Sequence, residues 1–126
     1  MGLTHVTVAV SSTQSDAPAF ESSFLVDTGA TDTLVPSNEL VKAGIPAVGK
    51  MAYELGGGDV VEYEFGIAKI EFMGEITAGR VIFGPLGSEP LLGVTALESV
   101  GILVDPANKT LKRLPAIPLK YARGAP

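Results

Sequence analysis

The sequence predicts a mostly β domain carrying two short helices. Apolar and polar residues alternate along several runs of five to eight residues, the period of a half-buried strand. Fifteen Gly and nine Pro interrupt these runs at short intervals. Only two stretches combine a helix-start signal with a glycine stop.

Taken in order, Val6, Val8 and Val10 alternate with Thr7 and Ala9 as a first strand, and "SSTQSDAP" follows as a polar loop. Residues 19–26 form a second strand running into Asp27, and Leu34-Val35 a short buried strand beyond the turn. Ser37 is placed to cap a helix, "NELVKAG", stopped by Gly44 and Pro46. From Met51 to Phe65, Tyr53, Leu55, Val61, Tyr63 and Phe65 alternate with polar residues about "GGG", a hairpin tipped by Gly56, Gly57 and Gly58. A second hairpin, "AKIEFMGEITAGRVIF", turns at Met73-Gly74. Thr95 and Glu98 stand at capping-box spacing before Gly101, predicting a helix over "TALESVG". "GILVDPANKTLKRL" is a last hairpin turning at Pro106 to Asn108, and the tail "PAIPLKYARGAP" is Pro-rich and extended or loose.

A length of 126 residues with 46% hydrophobic content fits one foldable domain with a modest core. A net charge of −5 with scattered Lys and Arg argues against nucleic acid as a partner. The absence of cysteine excludes disulfides, thiolate metal sites and a cysteine nucleophile. The opening "MGLTHVTVAV" has no basic n-region, and no apolar run approaches the roughly 18 residues of a membrane span. The expectation is a soluble cytoplasmic protein with no membrane partner. "GIPAVGK", residues 44–50, matches most of a phosphate-binding loop, but Met51 stands where Ser or Thr is needed and the segment follows a helix. His5, the single histidine, reads as a strand residue, and Glu54, Glu62 and Glu64 as a solvated strand face.

The stretch "FLVDTGATDTLVP", residues 24–36, carries the chemistry. Amide hydrolysis needs water deprotonated and the leaving nitrogen protonated. Two carboxylates sharing one proton do both, because like charges a few ångströms apart do not both ionise easily. Thr beside such a carboxylate can stiffen the loop by hydrogen bonding, and Gly lets backbone approach it closely. On these residues "LVDTGAT" resembles the active-site loop of aspartic proteases, with Ala after Gly as in the retroviral type, the retropepsins. The glycine-tipped hairpin lies where a retropepsin carries its flap. "VIFGPLGSEPLLG" is similar to the family's apolar strand, Gly-Pro loop and paired apolar residues plus Gly. The resemblance spans residues 3–114.

That resemblance implies a closed six-to-seven-stranded acid-protease barrel over residues 1–114, with 115–126 as a tail. Among the aspartates at 16, 27, 32, 59 and 105, only Asp27 opens Asp-Thr-Gly, and the chain holds one lobe. A dyad therefore requires a homodimer with Asp27 facing Asp27. By the same resemblance Thr28 locks the two loops across the dimer and the Gly29 carbonyl accepts bonds from substrate backbone. Gly56, Gly57 and Gly58 close over an extended peptide, and Ala30, Leu34, Val60, Ile82 and Leu86 contact substrate. Asp32 either touches substrate at the pocket rim or bonds loop backbone. Leu91, Leu92 and Gly93 pack beside the active-site loop. Thr31 and Val94 replace an Asp–Arg ion pair usual in retroviral members. The implied activity is endopeptidase cleavage of extended, rather apolar peptide or protein segments, with no metal or organic cofactor. An inactive dimerisation or peptide-binding module on the same fold is the alternative.

Overall fold

The valine alternation of the first strand, β1 (His5–Ser11), drives Val8 and Val10 into the core, where both are fully buried. The structure is a computed structural model that describes residues 4–119; the reading of the extreme N-terminus and of tail residues 120–126 lies outside the described residues. β1 pairs antiparallel with β2 (Phe20–Asp27), whose Phe24 is fully buried. β3 (Thr33–Pro36) follows the Asp-Thr-Gly turn and leads directly into α1 (Ser37–Lys42). Here the structure corrects the expected cap. Pro36 is the N-cap, Ser37 already lies inside the helix, and no side chain caps it. Gly44 takes a φ of 74° just beyond the helix, the left-handed stop the sequence predicts.

β4 (Gly49–Glu54) and β5 (Val60–Phe72) form the glycine-tipped hairpin. β5 and β6 (Glu75–Gly84) form the next one, turning at Met73 and Gly74 with φ of 52° and 78°. The two predicted hairpins thus share one continuous 13-residue strand. β7 (Leu91–Gly93) precedes α2 (Val94–Ser99), and β8 (Ile102–Asp105) pairs with β9 (Thr110–Arg113) as a separate two-stranded sheet. The side chain of Asp105 accepts from the backbone N–H groups of Ala107 and Asn108, which fixes that turn.

Six strands close on themselves in the order β1, β2, β7, β3, β6, β5, the last pairing back to β1; β4 hangs outside as an edge on β5. Closure removes the free edges that six short strands would otherwise expose. Inside the ring Val8, Val10, Phe24, Val35, Ile70, Val81 and Leu92 pack with Leu40 of α1 and Leu97 of α2. Arg113 of β9 donates to Glu75 and to the Met73 carbonyl, tying the small sheet to the β5–β6 turn. Residues 114–119 carry no helix or strand. No helix among the described residues is long and apolar enough to cross a membrane.

Candidate active site

Asp27 is the last residue of β2, delivered to the rim of the ring by parallel pairing with β7, in which Asp27 lies opposite Gly93. The chain then turns sharply, the Ala30 N–H donating to the Asp27 carbonyl over 3.1 Å. The Gly29 N–H donates to Asp27 Oδ1 over 2.9 Å, fixing the carboxylate from its own loop. A Cβ at Gly29 would lie 3.3 Å from that oxygen, tighter than ordinary contact. Glycine therefore lets the backbone donor come this close. Thr28 and Gly29 are exposed, and Asp27 is half-buried.

Behind the loop the structure replaces the predicted Thr95–Glu98 capping box. The N-cap of α2 is Gly93, and no side chain caps the helix. The N–H groups of Val94 and Thr95 instead donate to the carbonyls of Ala30 and Thr31, over 2.8 and 3.1 Å. The active-site loop itself thus satisfies two of the orphan donors of α2. Thr31 and Val94, the positions that lack the ion pair, thus each take part in one of these backbone bonds, Val94 with Ala30 and Thr31 with Thr95. A Cβ on Gly93 would come within 2.5 Å of the Asp32 carbonyl carbon. The Gly93 N–H also reaches Thr33 Oγ1 at 3.2 Å. Leu92 and Gly93 are buried, and Leu91 is half-buried.

In front of Asp27 opens a cleft of about 560 Å³ between the loop and the β4–β5 hairpin. Asp27, Gly29, Ala30, Asp32, Leu34, Gly56, Ile82 and Leu91 line it. Leu34 lies opposite both Ile82 and Leu91 in the sheet, so these three form an apolar floor. Thr28, Gly57, Gly58, Val60 and Leu86 stand outside the cleft of the single chain; Val60 and Leu86 are 69% and 73% exposed. Gly58 has a φ of 93° at the hairpin tip, where a side chain would be strained.

The cleft also holds residues to which the sequence assigned no role in the site, among them Met51, Tyr53, Leu55, Tyr63 and Arg80. Tyr53 donates its hydroxyl to Asp32 Oδ2 over 2.6 Å. Asp32 is buried and bonds this phenol, rather than the loop backbone offered as one alternative. The Arg80 guanidinium lies 4.0 Å from Asp32 Oδ2 and 4.7 Å above the Phe65 ring. Burial, followed by the bond to Asp32 and its charge, pushes the Tyr53 phenol up to about 12. A period-2 signal for these residues was present: Met51 and Tyr53 share one face of β4, Leu55 follows two positions on, just past its end, and Arg80 sits two positions before Ile82.

Elsewhere, "GIPAVGK" runs from the end of α1 into edge strand β4, the reverse of a strand-to-helix phosphate loop. His5 is exposed on β1 with Nε2 3.1 Å from Glu89. Glu54, Glu62 and Glu64 are exposed along the hairpin. Among the described residues no three His, Asp or Glu side chains gather to hold a metal.

Comparison with known proteins bears on this geometry. The family model described as gag-polyprotein putative aspartyl protease matches residues 19–99, which include Asp27, the hairpin, β7 and α2. No curated protein sequence matches significantly. The fold is similar to the EIAV protease complexed with the inhibitor HBY-793, at 19% identity and a TM-score of 0.55, covering 79% of this chain and 89% of that one. It is also similar to the retroviral protease-like domain of Ddi1 from Leishmania major, at 16% identity and a TM-score of 0.50, covering 91% and 92%.

Proposed function

The chain belongs to the gag-polyprotein putative aspartyl protease family and has a retropepsin-like fold, and from that premise we propose that it is an endopeptidase active as a homodimer. The observation that carries this reading is the single carboxylate of Asp27, held through one oxygen by Gly29 at the mouth of the cleft. One such group cannot both accept a proton from water and donate one. Two copies related by a two-fold axis supply both functions, and the exposed Thr28 and Gly29 are the residues that would meet there.

In the assembled site the ionised Asp27 takes a proton from water as the hydroxyl attacks the peptide carbonyl carbon. The protonated Asp27 of the partner subunit gives its proton to the carbonyl oxygen. As the diol collapses, the first Asp27 gives the proton it took from water to the leaving nitrogen and Asp27 of the partner subunit takes one from a diol hydroxyl. The C–N bond breaks, acid and amine leave, and the pair again shares one proton. The apolar floor of Leu34, Ile82 and Leu91 supports a preference for extended, rather apolar segments. Gly56, Gly57 and Gly58 would close over such a segment, and Val60 and Leu86 would reach it only in the assembled site. Residues 1–114 form the protease domain in this reading, 115–126 a tail, and the absence of cysteine fits a cytoplasmic setting.

Cleavage of a random peptide library at pH 5 and pH 7, wild type beside Asp27→Asn, tests the proposal. The expected result is Asp27-dependent cleavage, lowered by about 10²-fold or more in the variant. A folded dimer that binds peptides equally well with Asp or Asn and cleaves none would instead be a peptide-binding module.

A further inference from the structure

Strand β4 is the outermost strand of the sheet and pairs with β5 alone. Among the described residues, no backbone hydrogen bond connects it to the active-site loop across the cleft. A side-chain bond does, from the Tyr53 hydroxyl to Asp32 Oδ2 over 2.6 Å, between residues 21 apart in the chain. The acceptor belongs to the rigid side of the cleft. The Asp32 side chain is only 10% exposed, and its backbone lies against Gly93 with no room for a methyl group. From β6, Arg80 places its guanidinium 4.0 Å from the same carboxylate oxygen and 4.7 Å over the ring of Phe65, at the base of the hairpin.

We propose that Tyr53 is a positioning residue whose hydroxyl, bonded to Asp32, sets the height of the glycine-tipped hairpin above Asp27, with Arg80 bracing the acceptor. Without that bond the hairpin is a two-stranded arm held at one end, and such arms open at little free-energy cost. Hydrogen bonds to charged groups are stronger than neutral ones, so this one biases the arm toward the positioned state. A peptide bound beneath the hairpin would hold the arm by its own strand bonds. The Tyr53 link then counts in the free enzyme, and its loss falls on KM rather than on kcat. That kinetic consequence rests on the proteolytic reading, whereas the link itself does not.

Amide hydrogen exchange on the full chain, wild type beside Tyr53→Phe, tests the link with no need of cleavage. The variant keeps the ring beside Tyr63, 6.3 Å away between centroids, and removes only the hydroxyl. Residues 50–62 are expected to exchange about tenfold faster or more, with β1 and β2 unchanged. Unchanged exchange over 50–62, or acceleration spread evenly through the chain, overturns the proposal. With a cleavable peptide, KM is expected to rise severalfold at constant kcat. A fall in kcat at constant KM marks loss of folded enzyme and overturns the positioning role. A wild-type chain that cleaves nothing refutes the proteolytic reading, and the exchange result still decides the link.

Discussion

Asp27 and Tyr53 show how differently two residues of one cleft can be read. Asp27 sits in a local motif, and the Gly29 N–H that fixes its carboxylate lies two residues away, so motif and geometry were both visible in the sequence. The partner of Tyr53 lies 21 residues away. No local pattern announces that pairing, and neither Asp32 nor Arg80 could be assigned its role before the strands were placed. The pairing has a spectroscopic consequence. A phenol held neutral up to about 12 in the folded state, against 10.0 ordinarily, binds its proton more tightly folded than unfolded. Its contribution to stability is therefore complete below pH 10 and lost as pH rises from 10 through 12. Tyr53 is expected to ionise only as pH rises well beyond 10, toward about 12, when absorbance near 295 nm is followed in folded protein. Tyr53→Phe should remove that late step and lower the stability of the hairpin against local opening by about 1–2 kcal/mol at neutral pH. A Tyr53 that titrates at the ordinary 10.0 would show the bond to Asp32 to be absent in solution.

At the scale of elements, alternation and glycine turns located nearly every strand, because both are local. The cap of α2 was misread because it is tertiary. Capping-box spacing at Thr95 and Glu98 offered a local answer, yet carbonyls of Ala30 and Thr31 already occupy the donors of α2. The continuity of β5 was likewise hidden, since a strand that serves two hairpins looks in sequence like two strands. Gly93 and Gly56 differ in what surrounds them. Gly93→Ala would drive a methyl group into the backbone of Thr31 and Asp32, with an expected loss of about 1–3 kcal/mol by urea denaturation. Displacement of the loop should reduce cleavage further than that loss explains. At Gly56 an added Cβ meets nothing within 4 Å, so Gly56→Ala should leave stability within about 0.5 kcal/mol of wild type. Equal stability losses at both positions would contradict this division.

At the scale of the whole molecule, ring closure rests on parallel pairings of β2 with β7 and of β3 with β6. Those pairings join residues far apart in sequence, so no local pattern announces them, and the resemblance implied only that the barrel closes. The step from one ring to a working site is a question of stoichiometry, which a mixing experiment addresses directly. Wild-type chains are combined with a ninefold excess of Asp27→Asn chains, at a total concentration where dimers predominate and with time for exchange. If each site needs one Asp27 from each of two subunits, random pairing leaves most wild-type chains facing an Asn. Activity per wild-type chain should then fall to about one tenth. If one chain hydrolyses peptides by itself, the excess does nothing. The two cases also separate on dilution: below the dimer dissociation constant a halved enzyme concentration should quarter the rate, whereas a self-sufficient chain loses only half. A rate proportional to wild-type chain in both experiments would remove the two-fold site from the account and leave Asp27 in search of a proton donor within its own chain.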